Sequence, residues 1–403
     1  MINEIIRGEV TKVLQRAIAL RHRFHQIPEP SFEEKATAKL IAKALREEGM
    51  QVEEGFAGTG IAVTIPGRRS DNVVALRADI DGLAIKEASS KPYASQNPGY
   101  SHSCGHDGHI VCVLEASRIL WNLRDHLPVS VRILFQPAEE TGRGAQAMIE
   151  AGALGNPLPS AIFTVHTWPG LDIGVVASKP GVITSGSDSF TITVTGKGGH
   201  GARPHETISP ILTVGRIAQA LSTLTSSDDA HGYESVISVG MIHGGEQPNT
   251  IPDEACIQGT IRTRTAAIRS RVLETLKTTV LEICKQDTVA SDIAIQQHCP
   301  HVYNHPGLYA LFEKTADELL GPQKRIVFSN QSMGSEDFGY YTQQIPGLLI
   351  RLGMGTTSQP LHTSGFDFAD AALESGISIL VGLALGSAEN DVYTNDGVNS
   401  EGI

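Results

Sequence analysis

A chain of 403 residues is too long for one typical domain, so two domains, or one domain carrying a large insertion, is the starting expectation. Hydrophobic residues at 40% and charged residues at 19%, with 41 glycines and no long apolar run, exclude a disordered chain and a membrane-spanning one. A formal net charge of −12 with no long basic block argues against a nucleic-acid partner, and five sparse cysteines point to reduced thiols in the cytoplasm.

The first residues, Met1 to Leu20, are punctuated by Glu4, Arg7, Glu9, Lys12 and Arg16 and lack the apolar core of a secretory signal. Ile6, Val10, Val13, Leu14, Ala17 and Ile18 recur at helical spacing, as do Ala36, Leu40, Ile41, Ala44 and Leu45, which predicts two opening amphipathic helices. β-rich runs follow at 60–65, 73–78, 129–135 and 161–165, with a helical stretch at 108–123 between the second and third. This alternation reads as an α/β fold with a largely parallel sheet. From Asp188 the rhythm changes to strand 189–195, helix 208–224, strands 235–242 and 255–264, helix 267–285 and strand 292–297. That βαββαβ order is the ferredoxin-like plan. A strand at 348–352 and an apolar helix at 371–385 return to the first sheet, so the domains are expected as 1–182 with 299–403, interrupted by 183–298. The polar residues 389–403 read as a frayed tail.

Loops after the strands carry the candidate chemistry. His102, Cys104, His106 and His109 occupy a glycine-containing loop before the third helix. Glu139 and Glu140 follow the strand ending at Phe135, His166 follows Val165, and His362 comes after the strand ending at Leu352. Thiolate, imidazole and carboxylate are ligands of zinc and neighbouring divalent metals. A Glu-Glu pair is usually a solvated turn, but here it directly follows an apolar strand through Gln136-Pro137-Ala138, and adjacent carboxylates can divide labour as ligand and general base. The deaminase pattern His-x-Glu with Pro-Cys-x-x-Cys, the protease pattern His-Glu-x-x-His and the Gly-x-Ser-x-Gly elbow are all absent.

Several longer segments carry a resemblance. They are Arg77-Ala78-Asp79-Ile80-Asp81-Gly82-Leu83, His102 to His109, Gln136 to Glu140, Val165 to Gly170, Gly198 to His205, Gln247 to Pro252, Gly259 to Arg262, Ser335 to Phe338, and Leu361-His362. In kind and order they resemble the M20 metallopeptidase family, specifically its amidohydrolase branch of hippurate hydrolases, N-acyl-amino-acid amidohydrolases and plant auxin-conjugate hydrolases. The resemblance implies a zinc-peptidase-like catalytic domain interrupted by a ferredoxin-like lid and dimerisation domain. It implies one or two divalent ions (Zn, Mn, Co or Ni) on Cys104, His106, Glu140, His166 and His362, with Cys104 bridging and Glu139 as base. It further implies His200 as donor to the transition-state oxygen, including in a partner subunit, with Asn249 nearby. Arg262 suits a substrate carboxylate through its bidentate fork, and Asp79, Asp81, Asp107 and Glu336 are expected to orient histidine ligands. Ala84 stands where family members commonly place proline. The expected activity is metal-dependent hydrolysis of the linear amide bond of an N-acyl amino acid by a homodimer or higher homo-oligomer. The alternatives are a dipeptidase, an N-acyl-diaminopimelate deacylase or a catalytically silent metal-binding dimer.

Overall fold

The computed structural model describes residues 2–228, 232–329 and 333–387, so the expected frayed tail lies outside the described residues. The chain opens with α1 (Ile2–His25) and α2 (Lys35–Glu47), then β1 (Val52–Phe56), β2 (Gly60–Ile65), β3 (Arg69–Asp79), α3 (His106–Asn122), β4 (Val129–Gln136), α4 (Gly144–Glu150), β5 (Ala161–Trp168), β6 (Val176–Ser178) and β7 (Gly181–Val182). Next come β8 (Gly186–Thr195), β9 (Gly199–His200), α5 (Pro210–Ser222), β10 (Ser226–Asp228), β11 (Gly232–Gly244), β12 (Thr250–Ile251), β13 (Glu254–Thr263), α6 (Ala266–Asp287) and β14 (Ala290–Cys299). The last elements are β15 (Tyr303–Asn304), α7 (Pro306–Leu319), β16 (Arg325–Val327), α8 (Gly339–Thr342), β17 (Gly347–Gly353) and α9 (Leu373–Gly386).

These elements fall into two compact units. One holds everything through β7 and resumes at Tyr303; the other holds Thr184–Val302 and takes in Glu336. In the first unit the sheet runs β1-β2-β4-β3-β5-β17-β15-β7, and the central pairs β4·β3, β3·β5 and β5·β17 are parallel. Every residue of β4 and β17 is buried, as is β5 up to His166 and Thr167, which is why these strands read as continuous apolar runs rather than alternating ones. α1, α3 and α9 pack together over Ile110, Val113, Phe163, Leu348 and Ile377. Because β3, β4, β5 and β17 point the same way, their carboxyl ends place Asp79, Gln136, His166 and Gly353 along one rim.

The second unit is an antiparallel sheet of order β10-β11-β13-β8-β14 with α5 and α6 packed on it, its core formed by Phe190, Ile192, Ile217, Ile257 and Leu276. Without β10, its strands follow the βαββαβ order read from the sequence. Inward and outward residues alternate along β8 because one face is covered. No helix among the described residues is long and apolar enough to cross a membrane.

Candidate metal centre

The glycine loop turns into helix earlier than periodicity suggested. α3 begins at His106 rather than near Gly108 because Gly105 takes φ +84°, a left-handed conformation, and its carbonyl accepts from Gly108 N and His109 N at 3.0 and 3.2 Å. A Cβ at Gly105 would stand 2.5 Å from Thr167 Cγ2, so the residue also permits close approach of β5. His106 therefore projects from the first helical turn toward the rim.

Among the described residues five groups of three potential ligand atoms lie within 4.8 Å of one another, and two of them, the triads Cys104, His106 and His166, and Cys104, Glu140 and His362, share the thiol. Cys104 belongs to both. Its Sγ lies 3.6 Å from His166 Nε2; Glu140 Oε1 lies 3.7 Å from His106 Nε2 and 3.4 Å from His362 Nε2. His106 Nε2 and Glu140 Oε1 are buried with no hydrogen-bond partner among the described residues. Buried polar atoms left this way cost roughly 1–3 kcal/mol each, which a cation seated between them removes. Two backbone positions at the triads are also conformationally forced. His362 has φ +60°, its N–H held by Ser103 O at 2.9 Å; Ala138, just before the glutamates, has φ +56°, its N–H held by the buried Glu34 carboxylate at 2.9 Å. Left-handed non-glycine residues cost about 1–3 kcal/mol each and concentrate at functional sites.

The electrostatics point the same way. Burial, then Glu140, Glu139 and Asp79, push the Cys104 thiol well above its ordinary pKa. Burial opposes a charged His106, yet Asp79, Asp81 and Glu140 raise it to about 10, while burial with His109 and Arg351 holds His166 well below the usual imidazole range. A cavity that keeps a thiol protonated by crowding it with carboxylates is one that a divalent cation would neutralise, releasing the proton. The donor set of sulfur, imidazole nitrogen and carboxylate oxygen suits a divalent transition metal.

Behind the ligands lies a buried hydrogen-bond frame. Asp81 receives His106 Nδ1 at 3.1 Å on one oxygen, and Ser31 Oγ and Glu140 N at 2.7 and 3.1 Å on the other. Asp79 accepts from His109 Nδ1 at 2.7 Å, and His109 Nε2 in turn accepts from Thr167 N at 2.9 Å, so both ring nitrogens of His109 are engaged although it forms a further group with Asp79 and His106. His106, His109 and Arg77 hold Asp79 well below its ordinary pKa against the opposing effect of burial. Arg77, itself buried, spans Gln136, Asp79 and Asp337 at 2.9, 2.8 and 2.9 Å, and Asp337 also holds Ala145 N. Sequence reasoning assigned no role to Arg77, Asp337 or Glu34. A charged residue inside the apolar strand 73–78 was the available signal, since such a residue is buried only when paired.

One expectation is corrected. Asp107, expected to orient a histidine ligand, instead bonds His25 Nδ1 at 2.7 Å and faces Arg21 at 3.4 Å, away from the triads. His102 supports nothing by hydrogen bonding: neither ring nitrogen has a partner among the described residues, and burial lowers its pKa to about 4, leaving the ring neutral. His200, Asn249, Arg262 and Glu336 belong to the second unit. There Thr250 pairs with His200, and Gly201 N bonds Asn249 O at 2.8 Å, so His200 and Asn249 meet at one short ladder. Arg262 on β13 is half-buried and hydrogen-bonds Ser335 Oγ.

Cysteine, histidine and glutamate side chains able to hold a metal thus meet at the carboxyl rim of a parallel sheet beside the buried Glu139, and the relatives identify a metal-dependent amide hydrolase. Residues 75–386 match peptidase family M20/M25/M40, and the chain belongs to that family. It is 34% identical over 359 residues to an N-acetylcysteine deacetylase of Bacillus subtilis, covering 89% of this chain and 93% of that one. It is also 34% identical over 384 residues to thermostable carboxypeptidase 2 of Saccharolobus solfataricus, covering 93% and 95%. Among solved structures, a dinuclear metal-binding peptidase of the M20 family from Bacillus subtilis superposes with a TM-score of 0.84 at 31% identity, covering 94% and 99%.

Asp81→Asn removes the charge and one of the two acceptor oxygens that serve the His106 ring and the Glu140 backbone, leaving His106 Nδ1 on the Asp81 backbone carbonyl at 3.0 Å. Asp81→Asn is expected to weaken metal affinity about 10–100-fold, as measured by competition with a chelator; unchanged affinity would remove Asp81 from the frame.

Proposed function

We propose that this protein hydrolyses N-acyl amino acids to a carboxylic acid and a free amino acid. Cys104, His106, Glu140, His166 and His362 hold one or two divalent ions, and Glu139 is the general base. The observation that carries the reading is the pair of triads sharing Cys104, with Glu139 buried within 4.8 Å of the His106 and Glu140 ligand atoms. The similarity to an N-acetylcysteine deacetylase favours an acylated amino acid over a free peptide as substrate.

When bound, the divalent ion supplies Lewis acidity that polarises the scissile carbonyl and acidifies water. Glu139 takes the proton of the attacking water and returns it to the departing nitrogen, so the amine leaves neutral. The short turn Glu139–Thr141, anchored by the left-handed Ala138 and Glu34, fixes that carboxylate beside Glu140, so base and ligand cannot exchange roles without moving the backbone. His200 and Asn249 serve as donors to the oxygen that gains charge in the transition state, and Arg262 pairs with the carboxylate of the amino-acid portion. A silent metal-binding dimer would have no use for a buried glutamate next to the ligand Glu140.

Glu139→Gln is expected to keep its metal content while losing turnover; an active variant sinks the general-base assignment. Cys104→Ala is expected to lose metal, and retained stoichiometry would make Cys104 a packing residue.

The protein works in the cytoplasm as a homodimer. Five free cysteines suit a reducing compartment, and Leu212 on α5 with Met241 and Ile242 on β11 expose apolar surface of the kind that association covers. Sedimentation equilibrium should return the mass of two chains, and His200→Ala should lower kcat about 10²–10³-fold with little change in KM. A monomer, or an unimpaired variant, contradicts the respective assignment.

A further inference from the structure

The apolar stripe of α1 ends in charge. Ile6, Val10, Val13 and Ala17 are buried at helical spacing, and the same face continues through Arg21 and His25, both buried. Such residues are buried only with partners, and theirs come from two directions. On one side is Asp107, the residue after His106: it accepts from His25 Nδ1 at 2.7 Å and lies 3.4 Å from Arg21 Nη1. On the other are Asp367 and Asp370, shortly after His362 in the chain. Arg21 Nη1 donates to Asp367 at 2.7 Å and Arg21 Nε to Asp370 at 2.8 Å. The remaining charged neighbours complete the set. Glu87 takes His25 Nε2 at 3.2 Å, His22 meets Asp370 at 2.9 Å, and Lys91 pairs with Asp367, which also accepts from Tyr93 Oη at 2.9 Å.

The segment carrying His362 thus touches the metal loop in three ways: His362 N to Ser103 O, the Phe368 ring against Gly108, where a Cβ would stand 2.1 Å from it, and Arg21 between the acidic groups of both. Arg21 is the contact that holds carboxylates of both segments at hydrogen-bond distance; its loss leaves only His25 between them, 2.7 Å from Asp107 and 3.8 Å from Asp367.

We propose that Arg21 is a positioning residue that sets the spacing between the two ligand-bearing segments, Cys104 with His106 on one side and His362 on the other. The inference rests on the two-ion reading of the triads. It assigns Arg21 a specific effect: the triad of Cys104, Glu140 and His362 depends on it, while the triad of Cys104, His106 and His166 does not, because Asp107 keeps His25. A planar guanidinium with several donors can hold carboxylates on both sides at once; an ammonium is a single point.

The test is titration of the metal-free full-length protein with Co²⁺, following thiolate-to-metal charge-transfer absorption for Cys104 and visible absorption for occupancy, beside a thermal unfolding curve. Wild type is expected to take two equivalents. Arg21→Lys is expected to bind the first with unchanged affinity and the second about 10–100-fold more weakly. Asp370→Asn, at a partly exposed carboxylate, guards against an Arg21 variant that fails to fold, and is expected to weaken the second equivalent alone by a smaller factor. Variants that bind both equivalents like wild type, or that lower both equally along with the unfolding temperature, overturn the inference and leave Arg21 a structural residue. A wild type that takes one equivalent overturns the two-ion reading and the inference with it.

Discussion

Everything at the rim of the parallel sheet answers to one constraint: the Cys104 thiol is buried among carboxylates. Glu139, Glu140 and Asp79 all disfavour its ionisation, and burial adds to them. The nearby cations are already balanced by other carboxylates: His106, raised to about 10, faces Asp79, Asp81 and Glu140, and Arg77 is committed to Asp79 and Asp337. With Cys104 as the ligand proposed above, its deprotonation and metal entry would be one event, and metal affinity would fall as pH falls, because the proton competes for the same sulfur.

The frame around the site is built to hold that arrangement before a metal arrives. Asp81 ties the His106 ring to the Glu140 backbone, Glu34 pins the left-handed Ala138, and Ser103 O pins the left-handed His362. The Glu34 and Ser103 bonds each hold a left-handed residue, Ala138 and His362, so that strain is offset by hydrogen bonds within the frame. That division leaves His106 Nε2 and Glu140 Oε1 buried without a hydrogen-bond partner among the described residues.

Much of this was legible in the sequence, for identifiable reasons. β2, β4, β5 and β17 are buried along most of their length and so read as apolar runs, and the strands of the second unit with one covered face read as alternation. β1 escaped because Val-Glu-Glu-Gly-Phe is an edge strand with its glutamates exposed, and β9 and β12, at two residues each, are too short to carry a period. The candidate loop residues were visible as residue types, but the triads exist only through convergence of separate loops, Cys104 with His166 in one and with His362 in the other, which no local pattern encodes. Arg77, Glu34 and Arg21 were missed for a common reason: a buried charge looks like a surface charge until its partner is known. Arg21 and His25 did leave a trace, as polar residues falling on the buried stripe of α1.

The relatives divide between deacylation and peptide cleavage, and the site alone fits either, since both break an amide bond beside a carboxylate. The central claim is tested most directly by release of free amino acid from N-acetyl, benzoyl and indoleacetyl conjugates and from the matching unblocked dipeptides, using chelated protein and protein resupplied with zinc, manganese, cobalt or nickel. The account predicts release from one or more N-acyl conjugates, loss on chelation, recovery with metal, and slower turnover of the dipeptides. Release that survives chelation, or metal-loaded protein that cleaves only dipeptides, would contradict it.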